Sequence, residues 1–164
     1  LHHMSEPMAG WSILTKLLKP GGLMRIGLYS ELARQHIKEI RKEIKSLGVG
    51  KSDADMRQFR RTMIFSCKES HQQLTKSGDF FSLSTLRDLI FHEQEHRFTI
   101  PQIASCLNEL GLKFCGFGNK DIRTKFKVFY GSEVNVNDLM LWHKFEENNP
   151  GSFIEMYQFW CQKL

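Results

Sequence analysis

The segment "LLKPGGLMRIGLYS" (17–30) constrains this chain most. It joins a helix to a short apolar run through a turn of one proline and two glycines. Upstream, "EPMAGWSILTKLL" (6–18) places Met8, Trp11, Leu14 and Leu18 at helical spacing, with Pro7 in the first turn, where its missing N–H costs little. "KPGG" stops that helix. "LMRIGLYS" (23–30), apolar and bounded by turn signals, predicts a buried parallel strand. Helix, tight turn and buried strand together belong to an α/β protein.

The pattern then changes. From Ser30 the spacing predicts a helix with Ala33, Ile37, Ile40, Ile44 and Leu47 on one face and Gly48 as its stop. After the linker "GVGKSD", Ser52 and Asp55 form a capping pair for a second helix, with the stripe Met56, Phe59, Met63, Cys67 and Leu74. "KSGD" breaks it, and Phe80 to Phe91 predicts a short third helix. Helix and strand then alternate again. Thr99 and Gln102 make a capping box for a helix that turns Ile103, Leu107 and Leu110 inward and stops at Gly111. "LKFCGF" (112–117) follows as a strand, a helix is predicted over about 137–148, and "MYQFWCQK" (156–163) reads as a last strand. Ser152 and Glu155 also allow a terminal helix there. The fold class expected is α/β, helix-rich and with few strands. Residues 1–30 and 93–164 are expected to belong to one domain, interrupted by a helical insertion over 31–92.

A length of 164 residues with 41% apolar and 25% charged content suits one soluble domain with its own core. No apolar stretch approaches the ~20 residues of a membrane span, and no secretory signal is visible, so a cytoplasmic protein without membrane association is expected. Cys67, Cys106, Cys115 and Cys161 are dispersed with no C-x-x-C pair, which points to reduced thiols acting as small buried hydrophobes. The net charge of +5 is uneven: residues 31–76 hold 11 Lys and Arg against 6 Asp and Glu, and the remainder is balanced at 12 and 12. Such a segment is either a solvated helical face or a footprint for nucleic acid, with Arg57, Arg60 and Arg61 as its candidate contacts.

"HEQEH" (92–96) satisfies the H-E-x-x-H pattern of zinc hydrolases and its inverse. On a helix His92 and His96 would share a face, with Glu93 or Glu95 polarising a water. The following "RFTIPQ" ends any helix within three residues and starts another, which favours a polar cluster lining a pocket over a metal centre; no metal is expected. "GFGN" (116–119) has Asp121 where a third glycine would fall, so no nucleotide-binding loop can be argued, and no G-x-S-x-G elbow is present.

Taken together, "LHHMSEPMAGWSILTKLLKPGGLMRIGLYS", "FHEQEHRFT", "TIPQIASCLNELGLKFCGF" and "MYQFW" resemble the C-terminal portion of a class I S-adenosylmethionine-dependent methyltransferase, of the bacterial type often fused to tetratricopeptide repeats. The resemblance covers nearly the whole chain. It implies the C-terminal half of a Rossmann-like sheet: "LHH" closing strand four, 23–30 as strand five, 112–117 as strand six, and the tail as an antiparallel strand seven. The family's glycine-rich loop and ribose-binding acid would lie before Leu1, so these 164 residues alone are expected neither to bind S-adenosylmethionine tightly nor to transfer a methyl group. A chain lacking strands one to three is expected to associate with itself or with the missing N-terminal half. Ligands of open α/β sheets gather at the carboxyl ends of strands. That rule marks His2, His3, Tyr29 and Ser30 as cofactor- or substrate-adjacent. His92, Glu95, His96 and Arg97 are candidates for the acceptor pocket, and Tyr29 and Trp160 suit a wall or core better than catalysis.

Overall fold

A computed structural model describes every residue except Glu93 and Gln94. The chain forms two compact units, one of Leu1–Ala33 with Gln94–Leu164 and one of Arg34–Glu93. In the first unit, α1 (Pro7–Leu17) leads through the PGG turn into β1 (Leu23–Ser30). After the helical unit come β2 (Arg97–Phe98), α6 (Ile100–Glu109), β3 (Leu112–Phe117), α7 (Lys120–Tyr130), α8 (Leu139–Asn148) and β4 (Tyr157–Lys163).

The four strands form one sheet in the order β2-β1-β4-β3. β1 pairs antiparallel with β4 from Leu23↔Gln162 to Leu28↔Tyr157, and it is parallel only to β2, at Tyr29↔Arg97 and Ser30↔Phe98. This corrects the expectation of a buried parallel strand. An apolar run reports burial and says nothing of partner direction. Burial is itself limited to the second half, where Ile26, Leu28 and Ser30 face inward, while Leu23 is exposed. The turn is fixed from both sides. Gly21, at φ +75°, donates its N–H to Lys163 O, and Lys163 N–H donates to Gly22 O. The Lys163 ammonium then donates to Thr15 O (3.0 Å) and Leu18 O (2.8 Å), a cation on the carbonyls that end α1. Pairing of β3 with β4 slips between Phe114 and Gly116, and Gly116 takes φ +111° at that bulge.

β4 alternates as a half-buried strand should: Tyr157, Phe159 and Cys161 face inward. They join Trp11, Phe117, Phe126, Trp142 and Phe145 in an aromatic-rich core. Phe126 of α7 stacks on Trp142 of α8 at 3.7 Å and 14°, with Phe145 edge-on at 5.5 Å. Helix α7 is absent from the sequence expectation, although its marks are present. Asn119 caps it through Asp121 N and Ile122 N, Ile122, Phe126 and Tyr130 repeat at steps of four, and Gly131 ends it.

The second unit comprises α2 (Gln35–Leu47), α3 (Asp53–Ile64), α4 (Glu69–Thr75), a 3-10 turn at Gly78–Phe80 and α5 (Leu83–Phe91) around its own core of Ile37, Ile40, Met56, Phe59, Met63, Leu74 and Leu86. The Ser52–Asp55 and Thr99–Gln102 capping boxes both form. Four expectations are corrected here. The first helix starts at Gln35, because residues up to Ser30 remain in the strand. The single helix expected to reach Leu74 is two helices, broken after Ile64. The 80–91 segment is a 3-10 turn followed by α5. Cys67, placed on the apolar stripe by its spacing, lies in that break and is exposed. Leu14 and Leu47 are exposed as well. All four cysteines are free thiols, but only Cys161 is buried, so the expectation of four buried thiols holds for one. Of the basic candidates, Arg57 faces Asp53 at 3.8 Å and Arg60 donates to Phe81 O at 3.1 Å. Among the described residues no helix is long and apolar enough to cross a membrane.

Candidate functional site

The carboxyl end of β1 gathers most of the residues that the sequence singles out. His2, His3 and Tyr29 form an aromatic cluster, with ring centroids 4.3 Å apart for the two histidines, 4.2 Å for His2–Tyr29 and 5.9 Å for His3–Tyr29. Backbone bonds tie the surrounding segments to it. His96 N–H donates to His2 O at 2.8 Å, and Glu31 N–H donates to Phe98 O at 2.9 Å. Short β2 is what holds residues 95–98 there, through its pairing with Tyr29 and Ser30.

His2 Nδ1 lies 3.2 Å from Gly27 O. A carbonyl oxygen only accepts, so Nδ1 carries the proton and the lone pair is on Nε2. Burial lowers the His2 pKa below its ordinary value, and the neighbouring His3 adds to this, while Gly27 O and Glu95 act in the opposite sense. His2 is therefore a neutral imidazole near pH 7 with its lone pair on Nε2. Arg97 is the cationic element: its Nε donates to Glu31 Oε2 at 2.8 Å and its Nη1 lies 3.4 Å from the buried Glu95 carboxylate. Glu31 is a member of the site that the sequence did not suggest.

Ser30 takes a different course. It is fully buried, and its hydroxyl donates to Glu146 Oε1 at 2.5 Å while accepting from Ala33 N at 3.0 Å. Tyr157 OH donates to the other oxygen, Glu146 Oε2, at 2.6 Å. This buried carboxylate joins β1, α8 and β4. Burial raises the pKa of Glu146 against the opposing effect of the two hydroxyls, and burial with the adjacent Glu146 raises that of Tyr157. Neither Glu146 nor Tyr157 was among the residues singled out. A signal for Glu146 exists: it follows the buried Trp142 by four residues and sits beside Phe145, a carboxylate on an apolar helix face.

The HEQEH segment follows α5 rather than continuing it. Glu93 lies outside the described residues. α5 ends at Phe91, and His92 has the extended backbone of its C-cap, so the helix that a zinc hydrolase pattern requires does not run through His92. His96 belongs with His2. Among the described residues no group of three His, Cys, Asp or Glu side chains is placed to hold a metal ion.

No protein-family model matches the chain. An uncharacterized protein of Synechococcus sp. is 26% identical over 146 residues, covering 84% of this chain and 34% of that protein. Among solved structures, PKMT2 from Rickettsia typhi matches with a TM-score of 0.59 at 12% identity, over 98% of this chain and 32% of that one. The likeness shows the fold alone. This chain shares a mixed α/β fold with that protein. It spans about a third of the length of each of the two proteins.

Proposed function

We propose that these residues are the C-terminal portion of a class I S-adenosylmethionine-dependent methyltransferase, of the bacterial type often fused to tetratricopeptide repeats. The observation that carries this reading is the antiparallel last strand, β4, set between β1 and β3 within a fold matched over nearly the whole chain. Support comes also from the cluster of His2, His3 and Tyr29 at the carboxyl end of β1, where an open α/β sheet binds its ligands.

The residues fit one wall of a cofactor site: two imidazoles and a phenol ring, with a backbone strapped by the His96 bond. They do not supply a cradle, since the sequence holds no glycine-rich loop of the family type. In this proposal the cradle, and a strand running beside Leu23–Leu28, come from polypeptide outside these 164 residues. S-Adenosylmethionine, when bound, supplies an electrophilic methyl group. The chain's own contribution is alignment of the acceptor and a neutral base: His2 Nε2 takes a proton from the acceptor nucleophile while Gly27 O holds the other ring nitrogen. Arg97, between Glu31 and Glu95, shapes the acceptor side.

Calorimetry tests the division of labour. Titrating S-adenosylmethionine into the 164-residue chain is expected to give no micromolar binding. The same titration into the polypeptide extended upstream in its gene is expected to show it, together with transfer of labelled methyl. Micromolar binding to the short chain, or none to the extended one, contradicts the proposal.

A further inference from the structure

Two concave regions flank Thr124 of α7, and neither is lined by His2, His3, Tyr29, Glu31 or Arg97. The first, about 500 Å³, lies between α7, α8 and the turn after α8, and is walled by Lys125, Val128, Phe129, Phe145 and Pro150. The second, about 230 Å³, is lined by Lys120, Arg123, Lys127 and Val136. One is apolar and the other cationic, and the two share a single residue at their border.

Their composition is unusual for a solvated helix face. Val128 is 82% and Phe129 52% exposed, although Phe145 beneath them is buried. The Phe129 ring stands edge-on to Phe145 at 5.6 Å, so a core side chain fixes one wall of the groove. Helix α7 carries Lys120, Arg123, Lys125 and Lys127 against the lone acid Asp121. Among the described residues, none of these four cations forms an ion pair. Four uncompensated charges beside a preformed apolar groove call for a ligand that is anionic and apolar at once.

We propose that this face docks an acidic linear peptide segment of a partner protein. One bulky apolar side chain enters the groove over Phe129 and Phe145, and flanking carboxylates meet Arg123, Lys127 and Lys120. A groove of this volume suits insertion of a side chain. A single-stranded nucleic acid would instead require flat aromatic faces on which successive bases stack. Here the apolar walls are concave and include Val128 and Pro150. The proposal does not depend on methyl transfer.

Selection from a displayed library of random dodecapeptides on the 164-residue chain tests it, followed by fluorescence anisotropy of the labelled winners. Enriched peptides are expected to combine one large apolar residue with two or more Asp or Glu. Their affinity should fall at least tenfold in Val128→Asp, at least tenfold in Arg123→Glu with Lys127→Glu, and also with added salt. All three positions are exposed. Circular dichroism should confirm that the variants remain folded. No enrichment, winners of neutral or basic composition, or winners that bind Val128→Asp unchanged would each overturn the proposal. So would tighter binding of a labelled 12-nucleotide oligouridine that Val128→Asp leaves unaltered, which would assign the face to nucleic acid.

Discussion

Replacing Glu146 probes the buried network that ties the end of β1 to the rest of its unit. Ser30, Glu146 and Tyr157 are all fully buried, and both carboxylate oxygens accept a hydroxyl proton, at 2.5 and 2.6 Å. In Glu146→Ala both hydroxyls lose their acceptor in a place water does not reach. Each orphaned buried group costs about 1–3 kcal/mol, and the vacated volume adds to that. Removing a desolvated carboxylate offsets part of the loss, leaving a destabilisation of about 2–4 kcal/mol. Glu146→Gln retains the volume and an acceptor oxygen and should cost less than about 1.5 kcal/mol. The two variants also differ from wild type in their response to pH. Burial raises the folded-state pKa of Glu146 above its ordinary 4.5. The folded protein therefore holds this proton more tightly than the unfolded chain does. That contribution is complete below 4.5 and is lost as pH rises through the raised value. Wild type should gain most over Glu146→Gln in acid, and the gap should narrow toward neutrality. Urea unfolding followed by tryptophan fluorescence reads this unit alone, since Trp11, Trp142 and Trp160 all lie in it. A Glu146→Ala variant within about 0.5 kcal/mol of wild type would refute the reasoning, because it sets the loss of two buried hydrogen bonds near zero. Equal losses for Ala and Gln would refute it as well.

Other outcomes follow from single contacts. Phe126→Ala removes the ring stacked on Trp142 and should cost about 3–5 kcal/mol in the same unfolding experiment. Ser52→Ala breaks the capping box of α3 and should cost the helical unit about 1 kcal/mol, read from far-ultraviolet circular dichroism. His2 should titrate below 6.5 with the proton on Nδ1, as measured by nitrogen NMR of the ring, and its protonation should weaken the fold as pH falls through 6.5. A His2 titration at or above 6.5 contradicts the site geometry. Light scattering of the chain alone should show self-association through surfaces left unpaired beside β1, and a strictly monomeric species at high concentration counts against this.

Local signals accounted for much of the fold. The PGG turn, the capping boxes at Ser52 and Thr99, and the alternation of Tyr157, Phe159 and Cys161 each specify an element within a few residues of chain. Where the expectation failed, the deciding contact was distant. The stripe from Met63 to Cys67 keeps helical spacing, yet the chain turns after Ile64 so that α4 can bury His71 and Leu74, with His71 Nε2 3.1 Å from Glu43 of α2. Spacing cannot show that pairing across 28 residues. The site divides in the same way. The gathering of His2, His3 and Tyr29 could be anticipated only through the family resemblance, which implies that both segments lie at the carboxyl ends of strands. Capture of the Ser30 hydroxyl by Glu146 could not be, since it joins residues 116 positions apart through the packing of α8 on the sheet.

In the proposed methyltransferase, the carboxyl end of β1 forms one wall of an S-adenosylmethionine site completed by polypeptide outside these residues. Hydrogen exchange on the extended polypeptide, with and without S-adenosylmethionine, tests it most directly. Slowed exchange is predicted at residues 1–3, 27–31 and 95–98, with α7 and α8 unchanged. Binding without protection of those segments, or with protection confined to the helical unit 34–93, would contradict the claim.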